Sequence, residues 1–456
     1  MNRTLDRLVA SLLLAFAAVG VALGYWGVLR GPEILARDDN PRLVDRERRL
    51  ARGAIYDRDG VILAQSIREA DGTYTRLYPH PETAPAVGYY SLRYGVDGVE
   101  AAFNATLRGS ADYTAWDDLL HRPQVGGDVR LTLDLDVQTA VAGALGDRAG
   151  AVLLVEAGSG DVLALVSKPT FDPNTLDNHW EALTEDQRAP LLNRVTESRY
   201  QPGAALETAV LAAALERGVA PAVDPSHAAA PLELKLNDET ITLACARAPA
   251  IPLADLFDAY RHACPAPFAD LGERLGAAAL GRTFEALGLF APARLLPEEA
   301  PAASQPPPTA EFPALSAMSL GQGELTVNPA QMARVAAAVA NGGALPVLRL
   351  VSDTRAPRET VWQPAGHEPA QPRVISAETA AQLQEAMRQG GGGNGVAGHA
   401  SAALSGPRGG ALAWFIGFAE RETGEALAVV VVVEDETDAS VAAQIGAQAL
   451  NAARRP

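Results

Sequence analysis

Transfer of an acyl group needs a nucleophile, a base within hydrogen-bond reach and donors aimed at the developing oxyanion. The chain is sparing with the amine that would make one such base. Its only lysines are Lys168 and Lys235, so nearly all of its positive charge is arginine. Lys168 follows Val166-Ser167 at the end of an apolar run, and Lys235 lies in an alternating LELKLN stretch. Neither has a serine three residues before it. No Gly-x-Ser-x-Gly elbow and no His-Glu-x-x-His helix occurs, and the 7 histidines are scattered. Cys245 and Cys264 match no zinc spacing, which leaves either one bridge outside the cytoplasm or two buried thiols acting as small apolar fillers. Neither a metal nor a cofactor is expected.

Behind these residues stands a chain of 456, long enough for about three folding units, with 48% apolar and 20% charged residues. That composition excludes disorder as the main state. The net charge of −17 repels phosphate backbones and anionic headgroups, which argues against nucleic acid as a partner. From Leu8 to Leu29 there is no charge, and at about 1.5 Å per residue this run crosses a hydrocarbon layer of about 30 Å. Arg3 and Arg7 before it, with Tyr25 and Trp26 near its far end, place residues 1–7 in the cytoplasm and the rest outside. The expectation is a single-pass protein of the cell membrane, anchored at 8–29, with its C-terminal part extracytoplasmic. A cleaved signal peptide fits less well, because the apolar run exceeds the usual length.

Residues 30–44 read as a solvated stalk. Asp59-Gly60 between two apolar runs is a hairpin signal, and Leu427 to Val433 is a short β-branched run typical of a buried strand. The stretch PAQMARVAAAVANGG has helical spacing with a stop after Asn341. Residues 292–313, rich in Pro, Ala and Glu, read as an extended surface loop, and Gly390 to Gly393 as a second insert. Alternating strand and helix patterns from Gly150 onward call for an α/β or α+β layer fold.

Several segments, taken in order, resemble the class B penicillin-binding proteins, the membrane-anchored transpeptidases of bacterial wall synthesis. They are RGAIYDRDGVILAQS, VGYYSLRYGVDGVEAAFNATLRG, GGDVRLTLDLDVQTAVAGAL, GAVLLVEAGSGDVLALVSKPTFDPN, PLLNRVTESRYQPG, SLGQGELTVNPAQMARVAAAVANGG and AWFIGFAE. The resemblance implies an elongated pedestal (dimerisation-like) domain at about 45–135. It also implies a transpeptidase-like domain at 136–456, a mixed sheet flanked by helices.

It further implies three motifs, and here each departs from the family pattern. Where the family has Ser-x-x-Lys, this chain has Ala204 and Glu207; a methyl cannot attack a carbonyl, and a carboxylate reverses the sign of the lysine's charge. Where Ser-x-Asn is expected, aligned by its flanks, stand Ala263 and Pro265. For Lys-Thr-Gly the chain offers His399, Ala400 and Ser401. Thr208 and Ser401 are the least poor substitute hydroxyls, but each lacks an evident base and orienter. Glu207 and His399 should face each other across the cleft, either as a structural ion pair near a helix N-terminus or as two solvated side chains.

On this reading no residue is catalytic and the chain is not an enzyme. It is expected to act as a scaffold or regulator in peptidoglycan synthesis, in the membrane, by binding a polytopic glycan polymerase. The alternatives are an active D,D-transpeptidase with relocated residues, or a module that holds stem peptides noncovalently.

Overall fold

The computed structural model describes residues 2–26, 41–110, 117, 120, 122–219, 223–225, 227–236, 239–250, 252–291, 293–296, 315–322, 324–366, 371–390, 395–404 and 410–454. Nearly all of the expected stalk, most of the Pro-rich segment and the glycine run beyond Gly390 lie outside them. The strands are β1 (Ile55–Tyr56), β2 (Ile62–Arg68), β3 (Tyr74–Leu77), β4 (Tyr90–Ser91), β5 (Gly95–Val96), β6 (Asp128–Leu131), β7 (Gly150–Glu156) and β8 (Val162–Lys168). They continue with β9 (Leu232–Leu236), β10 (Glu239–Leu243), β11 (Val351–Arg355), β12 (Gln363–Pro364), β13 (Val396–Leu404), β14 (Ala411–Glu420) and β15 (Ala426–Glu434). The principal helices are α1 (Asn2–Gly24), α2 (Leu135–Leu145), α3 (Glu207–Glu216), α4 (Leu256–His262), α5 (Pro265–Leu275), α6 (Pro329–Ala340), α7 (Ala377–Gly390) and α8 (Ala439–Ala453).

Within α1, Arg7–Gly24 is long and apolar enough to cross a membrane, and none of it is buried against the rest of the chain. The pedestal follows. Asp57 accepts from the backbone N–H groups of Asp59 and Val61, 2.9 and 2.7 Å away, and so makes the turn between β1 and β2 that Asp59-Gly60 signals. Six strands form its sheet in the order β12-β11-β6-β1-β2-β3, so two of them arrive from residues 351–364, far along the chain. Glu100 is fully buried, its oxygens 2.7 Å from Arg52 Nη2 and 2.6 Å from Arg76 Nε. Burial pushes this carboxyl up, but Arg76 and Arg52 outweigh it and hold it below the ordinary carboxylate range.

The second sheet is antiparallel, in the order β13-β14-β15-β7-β8, with β13 at its open edge. Helices cover both faces. Leu153, Val155, Val430, Val432, Trp414 and Ile416 pack on the side of α3 and α6, while Val152, Leu154, Val429, Val431 and Phe415 pack on the side of α2 and α8. That double burial is why β15 reads as an unbroken apolar run rather than an alternating one. Helix α6 begins with a capping box, Asn328 accepting from the Gln331 backbone at 2.9 Å and Gln331 accepting from the Asn328 N–H at 3.0 Å. Lys168, at the end of β8, donates to the carbonyls of Ala142 and Gly146 at 2.9 and 2.5 Å. The amine caps the C-terminus of α2 and takes no part in a cleft.

Candidate active-site cleft

The chain reaches the cleft through Gln201-Pro202-Gly203. A 3-10 turn, Gly203–Leu206, leads straight into α3, so Ala204 and Glu207 stand one turn apart at the start of a helical rod buried on every side but its end. Gly203 has φ +52°, and a Cβ there would lie 2.4 Å from Ala403 Cβ and 2.5 Å from the Ala402 carbonyl oxygen. Only glycine lets this turn lie so close against β13.

Strand β13 supplies the facing wall. His399 and Ser401 sit opposite Ile416 and Trp414 of β14, on the face that meets the helical layer, while Ala400 packs on the opposite face against the α8 side. The His399 imidazole lies 2.9 Å from the Ala204 carbonyl oxygen through Nε2, so the neutral ring assigned here donates from that nitrogen. Tyr260 of α4 stacks on the same ring at 4.1 Å with 8° between planes. Ser401 is 0% exposed and its Oγ has no hydrogen-bond partner among the described residues.

Glu207 and His399 do face each other, with 3.8 Å between Oε2 and Nε2 and both side chains buried. Neither expected form of the pair is present. Burial pushes the Glu207 carboxyl well above its ordinary range, and burial likewise pushes His399 down to about 4, so both shifts favour the uncharged forms. No solvent reaches them, and burial opposes the charged form of each. The reason lies in the helical layer: Tyr260 stacks on the His399 ring, Glu207 opens the buried helix α3, and the two groups are too far apart for a direct hydrogen bond.

Thr208 is also committed, its Oγ1 2.8 Å from Tyr260 Oη and its side chain fully buried. The corner between α4 and α5 brings Ala263 and Pro265 to the cleft. Ala263 takes a left-handed conformation at φ 47°, ending α4, and Pro265 opens α5. Sequence reading passed over three other contributors. Tyr260 was visible only as a flank, Gln322 only as part of SLGQG, and nothing in the residue types placed 243–247 here. Cys245, in that segment, forms a disulfide with Cys264, their Cα atoms 4.0 Å apart, which decides between the two open alternatives. A small cavity of about 30 Å³ remains among Ala204, Glu207, Ala244, Ala263, Gln322 and Ala402.

A sheet carrying this turn, this edge strand and this helical corner around one cleft defines an acyl-transferase architecture of the penicillin-binding kind. The chain belongs to the penicillin-binding protein transpeptidase family: residues 150–451 match the penicillin binding protein transpeptidase domain, and 52–129 match the penicillin binding protein A dimerisation domain. It is 31% identical to the peptidoglycan D,D-transpeptidase PbpA of Mycolicibacterium smegmatis, over 100% of this chain and 99% of that one. It is also 31% identical to PbpA of Mycobacterium tuberculosis, over 85% of this chain and 82% of that one. The crystal structure of PBPA from M. tuberculosis superposes with a TM-score of 0.76 at 30% identity, covering 88% of this chain and 99% of that one. A penicillin G acyl-enzyme complex of the same protein gives a TM-score of 0.74.

These relatives overturn one expectation. The changed residues at three motifs give the expectation that the chain is not an enzyme, yet a protein similar to it over its full length is named a D,D-transpeptidase, and its family is an enzyme family. Three local substitutions weighed too heavily against an architecture that the chain keeps from one end to the other.

Proposed function

We propose that the chain serves peptidoglycan synthesis as a D,D-transpeptidase family protein whose substrate is a stem peptide received along β13. The observation that carries this is the similarity to PbpA over the whole chain, together with the open edge of β13 beside the Ala204 turn. An edge strand offers a row of backbone donors and acceptors, which suits an extended peptide. Position 204 is a methyl, so an acyl step needs its oxygen from another residue. Ser401 is the hydroxyl on the cleft face of β13, and Thr208 lies one turn beyond Ala204.

Labelling the purified chain with a fluorescent penicillin, followed by peptide mass spectrometry, tests the covalent reading. An adduct on Ser401 or Thr208, lost in Ser401→Ala or Thr208→Ala, supports it; no adduct at saturating probe overturns it. A second reading is favoured by the methyl at 204 itself: the groove holds the stem peptide without bond formation. Calorimetry with a muropeptide ending in D-alanyl-D-alanine decides this one, and absence of binding ends it.

The apolar helix α1 and the pedestal support a membrane setting with the two sheets outside the cytoplasm, and a polytopic glycan polymerase as partner. Co-purification of such a polymerase that depends on residues 8–135 is the expected result. Retention of the partner after their replacement would remove the proposal.

A further inference from the structure

The wall of the cleft facing β13 is made by residues 243–247, which begin at Leu243, paired with Leu232 in the β9–β10 hairpin, and are fastened to the α4–α5 corner by a disulfide, two backbone hydrogen bonds and a bond from the Arg247 guanidinium to the Arg261 carbonyl. Leu243, Ala244 and Ala246 line the small cavity beside Ala204 and Glu207. Ala246 N–H donates to the Ala263 carbonyl and Arg247 N–H to the His262 carbonyl, each at 3.2 Å. Between those donors and Leu243 stands Cys245, bonded to Cys264. The segment is therefore stapled to the α4–α5 corner where the second motif falls. Ala244 and Arg247 are exposed, Cys245 is partly exposed, and Cys264 is fully buried.

We infer that the Cys245–Cys264 bond is a thiol–disulfide exchange site, opened by a dithiol that attacks Cys245, and that its opening releases residues 244–247 from the cleft. Access selects the sulfur attacked, because an incoming thiolate can reach Cys245 and not Cys264. Attack at Cys245 Sγ forms a mixed disulfide there and expels Cys264 as a thiolate. The second thiol of the reductant then attacks its own sulfur in the mixed disulfide, freeing Cys245. Two electrons and two protons pass to the protein and the dithiol leaves as a disulfide.

Burial opposes the leaving thiolate at Cys264. Its position at the N-cap of α5 favours it: the helix has 11 residues, its macrodipole faces the sulfur, and Ala266 carries an N–H in the first turn, where Pro265 and Pro267 have none. Once the bond is open, the covalent tie to the corner is gone, and the described residues hold the segment there by hydrogen bonds: the two 3.2 Å backbone bonds and the one from Arg247 to the Arg261 carbonyl. Loss of those bonds uncovers the cavity beside Ala204 without moving β13 or α3. The inference stands apart from the chemistry proposed for the cleft, since exchange at the disulfide needs no stem peptide.

The experiment uses the full chain in detergent, equilibrated with dithiothreitol and followed by maleimide mass tagging and hydrogen exchange. The expected result is two tagged thiols per chain while the protein stays folded. Exchange at Ala246 and Arg247 rises at least tenfold, and exchange in α6 and β15 is unchanged. Trapping with a single-thiol reagent places the first mixed disulfide on Cys245. Three outcomes each overturn the inference: the bond resists reduction until the protein unfolds, reduction unfolds α6 and β15 together with the segment, or exchange at 246 and 247 does not change after reduction. The double variant Cys245→Ser/Cys264→Ser is expected to show the same fast exchange without reductant. A slow, oxidised-like pattern in that variant counts against the release step.

Discussion

The residue pair that faces across this cleft is buried, and its two members respond to pH in opposite directions. His399 is held down to about 4 in the folded chain against about 6.5 when unfolded, so its share of stability is complete above pH 6.5 and is lost as pH falls toward 4. Glu207 is raised in the folded chain, so its share is complete below its unfolded value near 4.5 and is lost as pH rises above it. Between about pH 4.5 and 6.5 the two slopes oppose each other. Replacing Glu207 by Gln is expected to raise the thermal midpoint at pH 8 and to leave it nearly unchanged at pH 4.5. His399→Gln should gain relative to the parent at pH 5 and not at pH 8. Melts of both variants and of their double variant across that range check this, and a parallel downward shift at every pH would contradict it. The facing of residues 207 and 399 was legible because motif order and strand period place both on the cleft. Their charge state was not. It depends on Tyr260 and on a helical layer that no local pattern reveals.

Elements carry the next level of constraint. The ring of Phe415 in β14 fills a space that would otherwise hold the side chains of three neighbours. A Cβ at Gly398 or at Gly446 would lie 2.2 Å from it, and one at Gly417 2.6 Å from it. The glycines of β13, β14 and α8 are thus the price of seating one aromatic ring between sheet and helix. Gly398→Ala is expected to lose about 1–3 kcal/mol, because a close-packed interior cannot absorb an added methyl. Chemical denaturation with matched m-values checks the figure, and an unchanged midpoint would show that the ring moves aside freely. The runs AWFIGF and LAVVVVV announced strands at the level of sequence, as the helix at 329–340 was announced by its spacing and stop. The segment at 243–247 was silent, since three small residues and an arginine beyond a hairpin give no sign of which surface they will cover.

At the scale of the molecule, the pedestal is held by the buried set Arg52, Glu100 and Arg76. Glu100→Gln leaves two guanidinium groups buried without their counter-charge and is expected to cost about 3–5 kcal/mol. The same carboxyl is held low in the folded chain, so the stability it contributes is present above its unfolded value near 4.5 and lost as pH falls below it. The parent should therefore lose the pedestal on acidification before the Gln variant shows any further loss. Hydrogen exchange resolved to β1, β2 and β6 separates that local melting from global unfolding.

The sheet of that pedestal is finished from far away. Arg130 pairs with Asp353 at a separation of 223 residues, and Asp128 with Arg355 at 227, through β6 and β11. A polypeptide that leaves the ribosome from its N-terminus exposes β6 with a bare margin until β11 has been made, and loop closure over such a span is slow. A chain stopped at residue 340 is accordingly expected to be cut rapidly by protease within residues 45–131, where the full chain resists. The foot of this protein is synthesised before the second sheet and yet is among the last parts to be completed.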